Sequence, residues 1–284
     1  MLEKELDLAL KLARSAGKTI LDHYKHDIVA EEKLGVDNYY EPVTETDRAA
    51  SRIIVDGLAA SFPVDAILSE EEFDDPTHRL SKQRVWIIDP IDGTAGYVEK
   101  NGDFAVQIGL ADNGVPILGV VYIPVPDLMY YAVKGSGAFV IKQSAETERL
   151  LVSDTSDYSE VRLAVSRHHR SSKTSRISSE LGIRTEVRRG SVGLKIGLIA
   201  EQICDMYIHL SPRSKIWDTC GPQVIVEEAG GRLTDLFGRP IRYDLENLQN
   251  HNGILASNLN LHDRTVRRLA PLLASFGRKP VEIR

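Results

Sequence analysis

Asp89 and Asp92 follow the run Val85-Trp86-Ile87-Ile88 and stand immediately before Gly93-Thr94. A short run of β-branched and aromatic residues reads as a buried strand. Pro90 interrupts it, because proline has no N–H for a ladder and disfavours helix in the residue before it. Two carboxylates with a free backbone carbonyl between them suit a hard cation such as Mg²⁺. A strand end closed by a glycine turn is also where open sheets place ligand chemistry. The same stretch reads equally as a strand followed by an Asp-Gly turn whose side chains cap a helix.

Five other places carry residues with chemical potential. Glu70-Glu71-Glu72 follows the strand-like Ala66-Ile67-Leu68, and three acids in a row usually form a solvated turn. Thr46 and Asp47 precede Ala49, Ala50, Ile53, Ile54 and Leu58 at helical spacing, where an N-cap is the ordinary explanation. Ser166-Arg167-His168-His169-Arg170 ends a strand and reads either as a solvated basic loop or as a source of charge for a second phosphate or a nucleotide. Adjacent strand residues point oppositely, so the two histidines do not face one metal. Gly190-Ser191-Val192-Gly193-Leu194-Lys195 opens a helix, with Ser191 as a cap and exposed N–H groups that favour an anion. Ile216-Trp217-Asp218-Thr219-Cys220 reads as a core strand and a capping aspartate.

Taken together these segments resemble the inositol monophosphatase superfamily, Mg²⁺-dependent and lithium-sensitive phosphomonoesterases that include the 3′(2′),5′-bisphosphate nucleotidases. Asp89–Thr94 matches D-P-[IL]-D-G-[TS], and Trp217-Asp218-Thr219-Cys220 matches the second signature W-D-x-[AC]-[GA]. Val43–Asp47 matches V-T-x-x-D, and Ser69-Glu70-Glu71 matches [GS]-E-E. The resemblance implies that Glu70, Asp89, Asp92, Asp218 and the Ile91 carbonyl bind two or three Mg²⁺ ions. It implies that Asp47 and Thr94, with Glu70, act on the attacking water. Gly93, Thr94, Ser166, Arg167, His168, His169, Ser191, Lys195 and Asp218 would then meet the substrate.

The Ser166–His169 and Gly190–Lys195 segments are most like the bisphosphate nucleotidases, as is W-D-T-C. The implied reaction is hydrolysis of 3′-phosphoadenosine 5′-phosphate, or its sulfated relative, to release phosphate. Three departures stand out. His168 replaces the serine of the family's S-R-S-H, Gly193 adds an irregularity before Lys195, and Ala95 stands where many nucleotidases have lysine. Ala95 leaves room for inositol monophosphate or fructose 1,6-bisphosphate. A non-catalytic phospho-ligand-binding protein is the third alternative, and the retained carboxylates and Thr94 speak against it.

The elements that must position these residues follow from periodicity. A core-packing helix is expected over 1–26, a mobile connection over 27–43, and short, largely antiparallel strands up to 141 with a hairpin signal at Asp112-Asn113-Gly114. Polar residues 142–161 lead to alternating strands and helices. The resemblance implies the layered α-β-α-β-α sandwich of the inositol monophosphatase and fructose-1,6-bisphosphatase type, an α+β and α/β mixture. Residues 1–150 would form an α+β half with most metal ligands. Residues 151–284 would form an α/β half with Asp218 and the substrate-side loops.

Composition agrees with an ordinary folded protein: 284 residues, 42% hydrophobic and 27% charged. A net charge of −6 argues against a nucleic-acid polymer as partner, though not against a small anion held through metal. No apolar run approaches the ~20 residues of a membrane span. Met1–Leu6 lacks the features of a signal peptide, and two cysteines make no disulfide framework. A cytoplasmic protein acting on a small phosphate ester is expected. A homodimer is compatible with the sequence, which does not itself give the oligomeric state.

Overall fold

The computed structural model describes residues 2–143, 146–167 and 171–282. Its first helix, α1 (Glu3–Tyr24), buries Ala9, Ala13, Ala16, Gly17 and Ile20, the stripe expected of an amphipathic helix. β1 (Glu31–Leu34) and β2 (Tyr40–Val43) then form an isolated antiparallel hairpin. Residues 27–43, read from the sequence as a mobile connection without clear period, thus contain a regular hairpin. The hairpin's residues are mostly exposed and do not alternate, so local periodicity carried no signal. Ion pairs reach from Lys33 to Glu70 and Glu71, and from Asp37 and Glu41 to Lys215.

Thr44 caps α2 (Glu45–Ser61) in a reciprocal capping box with Asp47. β3 (Ala66–Ser69) leads through the short α3 (Pro76–Leu80) into β4 (Arg84–Asp92), and α4 (Thr94–Val98) follows at once. The chain then meanders through β5 (Ala105–Asp112), β6 (Val115–Ile123), β7 (Leu128–Val133), β8 (Gly137–Lys142) and β9 (Thr147–Leu150). These make a seven-stranded sheet in the order β3 to β9, parallel only between β3 and β4. At the β5–β6 turn Asn113 and Gly114 both have positive φ (49° and 74°), as the Asp-Asn-Gly signal requires.

The remainder builds a second sheet. β10 (Arg162–Ser166), α5 (Ser172–Leu181), β11 (Thr185–Arg189), α6 (Val192–Ala200) and β12 (Met206–His209) alternate. A single 3₁₀ turn, Ile216–Asp218, precedes α7 (Cys220–Glu228), where a strand had been expected around Trp217. β13 (Gly231–Thr234), β14 (Ile254–Asn258) and α8 (Leu259–Ser275) complete the fold. The sheet order is β11-β10-β12-β14-β13, with β11, β10 and β12 mutually parallel.

Helices α1 and α2 cover one face of the first sheet, α6 and α7 lie between the sheets, and α5 and α8 cover the second. The layering is therefore α-β-α-β-α, as expected. The middle layer seats closely on the first sheet at one place. Gly109 and Gly119 are paired across β5 and β6, and a Cβ on Gly119 would fall 2.1 Å from the Gly221 carbonyl oxygen of α7. Only hydrogen at both positions lets the start of α7 lie on the strands.

Candidate active site

Along an unbroken strand, residues three apart point to opposite faces. Asp89 and Asp92 escape this through a bulge. Asp89 pairs with Gln107 and Asp92 with Ala105, so three steps on β4 match two on β5. The extra residue returns both carboxylates to the face that looks at α6 and α7. Asp218 reaches the same place from the 3₁₀ turn before α7. Oxygens of Asp89, Asp92 and Asp218 lie within 4.8 Å of one another.

The cluster is costly without a cation. Asp89 is 2% exposed, and its Oδ1 has no hydrogen-bond partner among the described residues. Burial, then the charges of Glu70, Asp92 and Asp218, push its pKa well above the carboxylate range. Burial and the neighbouring carboxylates raise Asp218 in the same way. An orphaned buried oxygen among converging carboxylates is what a hard cation's ligand set looks like. The residues present fit such an ion.

Asp92 is the best braced of the three. Its Oδ2 accepts from Gln107 Nε2 (2.5 Å), Ser191 Oγ (2.6 Å) and Gly193 N (2.8 Å), so the start of α6 holds it in place. Ser191 is thus both cap and brace, since Leu194 N also donates to its Oγ at 3.0 Å. Gly193, the apparent irregularity, fits where a Cβ would fall 2.9 Å from Val121 and 3.1 Å from the Gln107 amide carbon. Gln107 was missed at the sequence level. Its one signal was a lone amide in the otherwise apolar run Ala105–Ala111.

Glu70 follows β3, and its N–H donates to the Ile88 carbonyl at 3.2 Å, which sets it beside the end of β4. Its carboxylate accepts from Lys33 at 2.9 Å, and Glu71 accepts from the same ammonium. Burial disfavours the Lys33 charge, but the two glutamates outweigh it and hold its pKa above the ordinary lysine value.

Thr94 Oγ1 lies 3.2 Å from Asp47 Oδ1 and 3.2 Å from the Ile91 carbonyl oxygen. Asp47 Oδ2 accepts from Thr44 N (2.8 Å) and Thr44 Oγ1 (2.5 Å). Asp47 is thus not the N-cap but, through Oδ2, the N3 partner of the Thr44 cap, while its Oδ1 meets Thr94. Burial pushes Asp47 up to about 6, against the Thr44 hydrogen bonds that lower it. Gly93 turns the chain at φ 96°, and a Cβ there would fall 2.7 Å from the Asp103 carbonyl oxygen, so glycine is required twice over.

A cavity of about 740 Å³ opens beside the cluster, bordered by Asp92, Asp218, Ser166, Ser191 and Lys195. It lies at the carboxyl ends of the parallel strands β10, β11 and β12, the usual place for a ligand in such sheets. Lys195 is 3% exposed, and its ammonium donates to the Gly190 (2.9 Å) and Ser191 (2.5 Å) carbonyls. Burial lowers its pKa to about 8. Arg167 is placed differently. Its guanidinium pairs with Asp103 (Nε to Oδ2 2.7 Å), which also accepts from Gly190 N at 2.8 Å, and it does not border the cavity. His168 and His169 lie outside the described residues.

Comparison with known proteins agrees with this geometry. A model of the inositol monophosphatase family matches residues 1–274. The chain is 35% identical over 238 residues to the 3′(2′),5′-bisphosphate nucleotidase CysQ of Shigella flexneri, covering 84% of this chain and 93% of that protein. It is 31% identical over 276 residues to a fructose-1,6-bisphosphatase/inositol-1-monophosphatase of Thermotoga maritima, covering 96% and 99%. Among solved structures, a Thermotoga maritima inositol monophosphatase superposes with a TM-score of 0.80 at 29% identity, over 96% of this chain and all of that one. With the bulged aspartates, the capped threonine pair and the five layers already in place, the chain belongs to the inositol monophosphatase family, whose members hydrolyse phosphoric monoesters.

Proposed function

We propose that the protein is a Mg²⁺-dependent 3′(2′),5′-bisphosphate nucleotidase that converts 3′-phosphoadenosine 5′-phosphate to AMP and phosphate. The convergence of Asp89, Asp92 and Asp218, with a buried oxygen that no group of the described residues satisfies, carries the metal part of this reading. The similarity to CysQ supports the substrate.

Asp89, Asp92, Asp218, Glu70 and the Ile91 carbonyl would hold two or three Mg²⁺ ions. Bound there, Mg²⁺ supplies charge for the phosphate oxygens and leaving group and acidifies water. The chain's own residues do the rest. Asp47 takes the Thr94 hydroxyl proton in a hydrogen bond, which turns the Thr94 oxygen outward as an acceptor that orients water for in-line attack. Gly93 and Thr94 offer backbone N–H groups to the phosphate. The brace from Gln107, Ser191 and Gly193 keeps Asp92 from turning, so orientation is set before substrate arrives.

One observation favours a second reading, hydrolysis of inositol 1-phosphate or fructose 1,6-bisphosphate. Ala95 leaves no cation beside the Gly93-Thr94 turn, and Arg167 is already paired with Asp103. Catalytic efficiencies on the three substrates under equal Mg²⁺ decide between the readings. The nucleotide is expected to win, and turnover is expected to vanish in excess chelator and return with Mg²⁺. Preference for inositol 1-phosphate selects the second reading, and full turnover in chelator overturns both.

A further inference from the structure

The cavity's lining carries charge of both signs. Asp92 and Asp218 of the acidic cluster border it, and so do Lys173, Arg213 and Arg278. Arg278 belongs to the segment after α8, far in sequence from every signature motif. Gly277 (φ 71°) ends that helix, and Arg278 N donates back to the Leu273 carbonyl at 2.9 Å, which turns the chain toward the cavity. Phe276 lies under Lys173 of α5, with the ammonium 5.7 Å from its ring centre, so the segment is fastened to the α5 first turn.

The guanidinium is held but not neutralised. Nη1 donates to the Leu210 carbonyl and Nη2 to the His251 carbonyl at 3.0 Å, which engages two of its five N–H donors. No carboxylate of the described residues pairs with it, and burial alone lowers its pKa. Lys195 is committed to two carbonyls, and Arg213 stacks on Tyr39 at 3.6 Å. A half-buried arginine with spare donors and no counter-charge, bordering a substrate cavity, is suited to receive an anion.

We propose that Arg278 binds the second, non-hydrolysed phosphate of the substrate and so sets the preference for bisphosphates. This rests on the bisphosphate reading above. A substrate with one phosphate at the carboxylate cluster would carry its other phosphate into the same cavity that Arg278 borders. The remote phosphate's binding energy then helps fix the scissile one in place. Lys173 also borders the cavity but is exposed, so its share is smaller.

The test uses 3′-phosphoadenosine 5′-phosphate and adenosine 3′-phosphate, which differ only in the second phosphate. Wild type should prefer the bisphosphate, and Arg278→Gln should lower that ratio of kcat/KM about ten-fold or more. Glutamine keeps an amide donor for the two carbonyls while removing the charge. Arg278→Lys should retain more of the ratio than Arg278→Gln, and melting curves of both variants report whether the segment stays seated. Wild type without a preference overturns the bisphosphate reading and the role of Arg278 with it. A clear wild-type preference that survives in Arg278→Gln overturns the role of Arg278 alone.

Discussion

The Lys33 ammonium, carried on the β1–β2 hairpin, donates at 2.9 Å to the Glu70 carboxylate, whose charge in turn raises the pKa of Asp89. A cation of the protein thus occupies one of the acids that a metal would use. Lys33→Met removes that competitor while keeping the length of the side chain. The Mg²⁺ concentration giving half-maximal activity should fall about three- to ten-fold, read from a metal titration at saturating substrate. A rise would mean that Lys33 instead holds Glu70 where the metal needs it.

Thr94→Ala removes the hydroxyl that Asp47 and the Ile91 carbonyl share. Turnover should drop about a hundred-fold, the lower end of what a positioned proton-handling group contributes. Mg²⁺ affinity, followed by calorimetry without substrate, should hardly change. Thr94→Ser should recover most of the rate, because the hydroxyl matters and the methyl does not. A weakened metal site in the alanine variant would make Thr94 a structural support of the cluster.

Asp205 is 0% exposed and gathers five hydrogen bonds, from Ser153, Thr155, and the Arg162 backbone and guanidinium. Burial opposes its charge, but these donors outweigh it and hold its pKa below the usual aspartate value. A lowered folded-state pKa gives stability that is complete above the unfolded value, near 4, and fades as pH falls through the folded value. Asp205→Asn should cost about 3 kcal/mol at neutral pH by urea unfolding. The gap from wild type should stay constant down to about pH 5 and narrow below about pH 4. A gap independent of pH would assign the effect to packing.

Some of this molecule was readable in advance because the signals are local. Val85–Asp92 is apolar enough to announce a buried strand, Asp112-Asn113-Gly114 announces a hairpin, and the helical spacing of Ala49, Ala50, Ile53, Ile54 and Leu58 announces α2, although its N-cap is Thr44 rather than Thr46 or Asp47. The β1–β2 hairpin was not legible, since ion pairs from Lys33 and Lys215 hold it rather than any apolar alternation. Arg167 looked free for substrate because nothing local reveals that Asp103, 64 residues away, will take its guanidinium. Gln107 and Arg278 gain their meaning only when β5 meets α6 and when the segment after α8 returns to β12.

The bulge in β4 makes the acidic cluster depend on a phase defect of the sheet. Inserting one residue into β5 between Ala105 and Gln107 would let β4 and β5 pair step for step with no bulge. One of the two carboxylates would then turn into the apolar layer beneath α1 and α2, although neither aspartate had been substituted. That insertion should therefore disrupt the site as thoroughly as losing a carboxylate. Lengthening the β5–β6 turn, far from this register, leaves that phase untouched.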